Sequence, residues 1–314
     1  MRITLIVALL GAGCHRESAP FKDPVKLAGK LVDAETLNRG HTAYMQNCRA
    51  CHGDAGDGKG PAAPGLRPPP RDFTAGSFKF AGVLDQKLPR DEDIVRIVRG
   101  GLHGTAMLGW DVPDKTLSDI IQYMKTLSPK WKEDDAVGDP VVPAPDPWAA
   151  AGKQAEAIQR GKTLYHGFAQ CLGCHAAYAT KQEIYDASKA TLGSGTTDFR
   201  DQMYLPEIKD SEYGVKILPP DFLFNELRSI NKGTELQDLY RILVAGVTGA
   251  AMPAWNPVTL PNKEADIWAL AYYVRDLTQL KGTPGAEALR QRLAMQAAFV
   301  PPADPAAEPP GAKN

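Results

Sequence analysis

Cysteine and histidine recur in this chain at one spacing, as Cys48-Arg49-Ala50-Cys51-His52 and Cys171-Leu172-Gly173-Cys174-His175. Two thiols three positions apart can bond the two vinyl groups of one porphyrin. The adjoining imidazole then lies beneath the iron, so both runs read as c-type haem attachment sites. With five Cys and six His in 314 residues, only roughly 0.0015 such runs are expected by chance. A zinc site would need both pairs on one metal and leaves the two histidines unexplained. A thioredoxin-like pair would open a helix in a βαβ setting, and no such strand pattern is visible. A Cys-x-x-Cys disulfide is a tight ring with little stabilising value to use twice. The reading is therefore two covalently bound haem c groups, with Cys48, Cys51, Cys171 and Cys174 as thioether donors and His52 and His175 as proximal ligands.

An internal repeat points to the second ligand of each iron. Arg39-Gly40-His41-Thr42-Ala43-Tyr44 and Arg160-Gly161-Lys162-Thr163-Leu164-Tyr165 precede the two sites at an offset of 121, and the cysteines follow at 123. Asp93–Val98 matches Asp238–Leu243, and Met107 and Trp110 match Met252 and Trp255, all at 145; Asp119-Ile120 pairs with Asp266-Ile267 at 147. The halves are thus copies of one unit, the second carrying 22 extra residues between its His and its Met. Met107 and Met252 each sit in a Gly-rich loop of low helix propensity, a poor place for a core methionine. Such a loop can bring sulfur to the open face of a porphyrin, and thioether ligation favours ferrous iron. His103 rivals Met107 but has no counterpart in the second copy, where Thr248 stands. Met203 is a weaker rival for the second site. Met45, Met124 and Met295 read as packing residues, and His41 and His166 as solvated or internally satisfied side chains.

These motifs resemble tandem class I cytochrome c domains. The run Cys-x-x-Cys-His-Gly-x-x-Gly-x-Gly-x-Gly-Pro from Cys48 to Pro61 carries the resemblance, together with the two Met loops and their tryptophans. It implies a small all-α fold wrapped on each haem, with a porphyrin edge exposed. It also implies a proline carbonyl as acceptor for the proximal His N–H, with Pro61 the candidate in copy one. Copy two departs from the pattern, since His175 is followed by Ala176-Ala177-Tyr178 and a proline comes only at Pro219 or Pro220. Arg67, Arg71, Trp110 and Trp255 are plausible contacts to haem propionates.

Around these sites the chain organises itself. Met1-Arg2, the apolar run Ile3–Leu10 and Gly11-Ala12-Gly13-Cys14 form a secretory signal whose end resembles a lipobox, with Cys14 as the lipidated residue. The alternative is a signal peptide cut nearby, leaving Cys14 an ordinary thiol. Eight helical residues rise only ~12 Å, well short of a ~30 Å hydrocarbon core. The expected domains are a signal at 1–13, a tether at 14–34, a first cytochrome c domain at 35–130, a Pro-rich linker at 131–151, a second domain at 152–280 with an insert at about 178–219, and a partly disordered tail at 281–314. Helices are expected at Ala34–Asn47, from Asp91 to Gly100, at Lys115–Leu127, near 153–170, 234–245 and 262–280, and at Gly285–Phe299. A net charge of −1 gives no general electrostatic reason to bind nucleic acid.

The expectation is a dihaem electron carrier rather than an enzyme, on the periplasmic side of a bacterial membrane. It would be held there by a lipid anchor, or be soluble in the periplasm, between a redox-protein donor and acceptor. The rivals are a dihaem peroxidase, which needs an open sixth iron position, and a fixed cytochrome subunit of a larger oxidoreductase.

Overall fold

A computed structural model describes residues 21–302, so the expectations for Cys14, the signal and the last residues of the tail lie outside the described residues. The fold is all-α, with one small sheet. β1 (Val25–Leu27) and β2 (Lys30–Val32) form an antiparallel hairpin whose two-residue loop, Ala28-Gly29, has positive φ at both positions. That is the loop geometry that matches strand twist. Leu27 is buried, and Ala28 N–H donates to the Trp131 carbonyl at 2.6 Å.

α1 (Ala34–Asn47) begins at Asp33, whose carboxylate accepts from Thr36 N–H, and leads through Cys48 into the single turn α2 (Arg49–His52). α3 (Asp91–Gly100) opens with three acids at its positive end and stops at Gly101, and α4 (Asp114–Lys125) crosses α1. The second half repeats the plan. α5 (Gln154–His166) delivers a short 3-10 turn at Cys171–Gly173. α7 (Glu235–Ala245) precedes the second Met loop, and α8 (Glu264–Leu280) crosses α5. α6 (Lys181–Leu192) lies inside the insert, capped reciprocally by Thr180 and Glu183, and α9 (Pro284–Ala294) packs on α8.

Both helix crossings depend on one glycine. A Cβ at Gly40 would lie 2.0 Å from the Asp119 carbonyl oxygen, and one at Gly161 would lie 2.0 Å from that of Ala269. Tyr123 and Tyr273 are the next contacts at the two crossings. An arginine beside each glycine reaches a buried aspartate: Arg39 Nε to Asp119 at 2.8 Å, and Arg160 to Asp266 through two bonds of 2.8 and 2.9 Å. The ion pairs keep the 147 offset, whereas the crossing contacts stand 150 apart. The fourth helix has therefore slid by about one turn between the copies while its aspartate stayed with the arginine.

Residues 131–150 are strapped to both halves. Leu84 N–H donates to Asp139, Val141 N–H to Gly82, and Leu88 pairs with Val137. Farther on, Trp148 Nε1–H donates to the Ala265 carbonyl, Trp268 Nε1–H to that of Ala144, and Tyr272 Oη–H to Asp146. Prolines at 140, 143, 145 and 147 keep the segment extended, so its remaining polar groups are free to pair sideways. The described part of the segment before α1 likewise packs, through Leu27 and Trp131.

His166 ends α5 fully buried, with Nδ1 at 2.9 Å from the Lys162 carbonyl and Nε2 accepting from Tyr178 N–H at 3.1 Å. Only the neutral ring satisfies both partners, and burial pushes its pKa down to about 4. An unfolded His titrates near 6.5, so between these values the unfolded chain holds a proton that the folded chain refuses. Stability should therefore fall by roughly 3 kcal/mol as pH drops from about 6.5 to about 4, then level off. Denaturation midpoints across that range should lose this component in His166→Asn. Gly161→Ala should cost about 3 kcal/mol in the same unfolding assay, because the intruding carbon meets backbone rather than a movable side chain.

Candidate functional site

The end of α1 fixes the first cysteine-histidine run. Cys48 N–H caps Tyr44, and the buried Tyr44 hydroxyl donates to the Gly53 carbonyl at 2.9 Å, tying the residue after His52 back to the helix. The second unit builds the same tie, from the Tyr165 hydroxyl to Ala176 at 2.8 Å. Gly60 must be small, since a Cβ there would lie 2.3 Å from the Ala50 carbonyl inside the run.

Each imidazole is held by a main-chain carbonyl. His52 Nδ1 lies 3.0 Å from the Arg71 carbonyl, and His175 Nδ1 lies 3.0 Å from that of Pro220. A carbonyl only accepts, so Nδ1 carries the proton and Nε2 keeps its lone pair. Burial lowers both imidazole pKa values, leaving the rings neutral near pH 7. A phenyl ring then lies flat on each imidazole. Phe73 stacks on His52 at 4.4 Å, and Phe222 stacks on His175 at 4.8 Å.

Pro61 is not the acceptor that the resemblance implied. The carbonyl belongs to Arg71, ten residues later, while in copy two Pro220 does fill the role. The structure exposes a repeat behind this, Arg71-Asp72-Phe73 and Pro220-Asp221-Phe222, which supplies acceptor, aspartate and stacking ring at an offset of 149. The Pro-x-Asp-Phe run, with Pro70 and Pro219 one residue ahead, is legible in the sequence as its signature.

None of the four cysteines is in a disulfide. Among the described residues, no three His, Cys, Asp or Glu side chains are grouped so as to hold a metal ion, so the two pairs do not form one metal site. Burial pushes the Cys48 thiol up to about 11 and the Cys171 thiol to about 12, so both remain protonated. Cys48, Cys51, His52 and Met107 line one cleft of about 250 Å³, walled largely by apolar side chains such as Phe78, Ile94, Leu117 and Ile121. Two thiols, a free imidazole nitrogen and a thioether converging on an apolar cleft suit an iron porphyrin. In the second unit, Cys171, Met252 and Trp255 border the apolar core that includes Phe222.

The two Met loops share a construction. Gly101 and Gly246, both at positive φ, end α3 and α7, and Leu102 and Val247 N–H donate to the Met107 and Met252 carbonyls. Trp110 N–H returns to Val98, and Trp255 N–H returns to Leu243. His103 lies exposed outside the cleft lining, its N–H bonded to the Arg228 carbonyl. Met203 is buried in a separate cluster with Ala177, Ala179 and Ile184. Arg67 is exposed and bonds the neighbouring Leu66 carbonyl, whereas Arg71 and Trp110 line the cleft.

Residues 35–124 match the family described as cytochrome C oxidase, cbb3-type, subunit III. This segment is a c-type cytochrome domain. Such a domain implies covalently attached haem c. A chain of the Kuenenia stuttgartiensis reducing HAO-like protein complex Kustc0457/Kustc0458 is similar in fold, with a TM-score of 0.59 and 24% identity over 77% of this chain and 96% of its own. That share is too large to fall within the first unit alone. No curated protein matches the chain. Among the described residues, no helix is long and apolar enough to cross a membrane.

Phe222 also packs edge-on to Tyr165 and beside Tyr178. Phe222→Ala should therefore destabilise the second unit by about 3–5 kcal/mol. Phe73→Ala should cost less, because Phe73 is only half-buried. Guanidinium unfolding of the two variants ranks them.

Proposed function

We propose that the chain is a dihaem c-type cytochrome that relays single electrons and performs no substrate chemistry of its own. The carrying observation is the Nδ1-to-carbonyl bond made in both units beside a pair of free thiols. It turns each Nε2 into a permanently available neutral donor.

Bound haem supplies a one-electron iron couple. The chain's residues do the rest. Cys48 and Cys51 hold the first group, and Cys171 and Cys174 the second. His52 and His175 donate nitrogen, and the Arg71 and Pro220 carbonyls keep those rings in one tautomer and one orientation. Met107 and Met252 would supply sulfur, a donor that favours the reduced state. The phenyl rings and apolar walls exclude water, so little solvent reorganises when charge changes. With His52 and Met107 as donors to one iron and His175 and Met252 to the other, neither haem would keep the vacancy that a peroxidase needs.

Cys14 is the lipidated residue in this reading, holding the protein at the periplasmic face of a membrane between a redox donor and an acceptor. Several acyl chains on one residue are enough for stable anchoring. A second reading, a fixed cytochrome subunit of a larger oxidoreductase, is favoured by the fold neighbour's place in a protein complex. Co-purification after salt washing separates the two.

A pyridine haemochrome assay should give two haems per chain. Met107→Ala should open one of them to carbon monoxide and leave the other unreactive. Unchanged ligand binding in that variant would move the sixth ligand elsewhere, with His103 first in line. A high-spin ferric centre or peroxide turnover in the native protein would replace the carrier by an enzyme.

A further inference from the structure

Three cations meet at the first cleft, and one of them comes from the wrong half of the molecule. Arg71 and Lys79 belong to the first unit, Arg228 belongs to the second, and all three line the cleft that holds Cys48, Cys51 and His52. Among the described residues, none of them forms an ion pair with a carboxylate. Asp72 acts on Arg71 only at longer range. Desolvation lowers the pKa of all three, and Lys79 is brought to about 8, with Arg71 and Arg228 adding repulsion. Like charges gathered on a partly desolvated surface without a counter-charge are costly unless an anion joins them.

The arrangement is built rather than incidental. Lys79 and Arg228 occupy equivalent places in the repeat, at the same 149 offset that relates Phe73 to Phe222. The Arg228 backbone is held against the first Met loop by the bond from His103 N–H at 2.8 Å. The insert contributes as well. The Tyr213 ring lies beneath the Arg71 guanidinium at 4.0 Å, with Lys79 Nζ at 4.9 Å from its centre. The Tyr213 hydroxyl donates to the Thr248 carbonyl in the second Met loop at 2.7 Å, which leaves Ser77 Oγ–H as the donor to the Tyr213 hydroxyl oxygen at 3.2 Å.

We propose that Arg228 of the second unit completes the first redox centre, binding with Arg71 and Lys79 the two carboxylate side chains of the porphyrin held in the first cleft. Tyr213 is the positioning residue that keeps Arg71 there. The assignment rests on the haem reading of the cleft. It gives the insert a role as a wedge between the units, and it makes the first centre's potential a property of both halves.

The test uses the full-length holoprotein. Arg228→Gln removes a positive charge beside the first iron, which favours the ferric state. In a spectroelectrochemical titration the component perturbed by Met107→Ala should move to lower potential, and by more than the other component. Arg228→Lys should restore it most of the way, a rescue that a purely structural role does not produce. Lys153→Gln, an equal charge change on the exposed start of the second unit, should leave both components in place. Full haem content with an unmoved first component, or a larger shift in the second, overturns the assignment of Arg228 alone. Wild-type protein without haem overturns the reading of the cleft itself.

Discussion

In each unit an imidazole nitrogen faces a main-chain carbonyl at 3.0 Å, and the local chain is arranged to keep it there. The bond is worth little as stabilisation, because a neutral hydrogen bond contributes on the order of 1 kcal/mol net. Its value is directional. It decides which nitrogen holds the proton, and it decides where the lone pair of the other nitrogen points. A tyrosine hydroxyl pins the residue after each histidine, a phenyl ring lies on the imidazole face, and the acceptor is a backbone atom that no rotamer change can withdraw. Replacing the side chain at 71 leaves the acceptor in place. That explains how Arg71 in one unit and Pro220 in the other serve the same end.

The helix crossings show which features of the repeat are under tight geometric control. Gly40 and Gly161 let backbones touch, so those positions tolerate no carbon, whereas the partner helix can slide by a turn if its aspartate still meets the arginine. Asp119 and Asp266 are almost fully buried. A buried carboxylate without its guanidinium would be far more destabilising than a shifted register. The charge pair therefore constrains the two copies more strongly than the exact side-chain order along the fourth helix does.

Much of this is legible in the residue types and their spacing. The Cys-x-x-Cys-His runs and the parallel Met loops can be read because their chemistry demands particular side chains at particular spacings. The helix Ala34–Asn47 has the bounds its capping aspartate implies. Other parts were hidden for physical reasons. The acceptor for His52 is a carbonyl, which every residue carries, so residue type cannot mark it. The Ala28-Gly29 hairpin is too short for a period-2 pattern to stand out. The helix at Lys181–Leu192 was readable from its Thr180-x-x-Glu183 box but lies in a segment with no counterpart in the first copy. Residues 131–150 have the composition of a free spacer. Their fixed course comes from tryptophan and main-chain bonds to distant residues, which composition does not encode.

The two units meet through their repeated elements as well as through the linker. Asp93 and Asp238 are both buried, and each pairs with the arginine three residues on, Arg96 at 2.6 Å and Arg241 at 3.0 Å. Arg96 also stands 3.9 Å from Asp238, so the two intrahelical pairs join into one alternating cluster between α3 and α7. Two carboxylates and two guanidiniums placed this way compensate one another only when both helices are in register, since a shift would leave a buried charge facing its like. Each of these helices ends at the glycine that starts a Met loop, Gly101 or Gly246. Locking α3 to α7 therefore fixes the origins of both loops relative to each other. A side chain at Gly100 would run into the Asn231 amide at 2.0 Å, so the fit is close as well as charged. A flexible pair of beads on a proline-rich string would need none of this. The cluster, the strap and the glycine contact together hold the two halves as one body, in which a change of charge in one unit is felt at short range by the other.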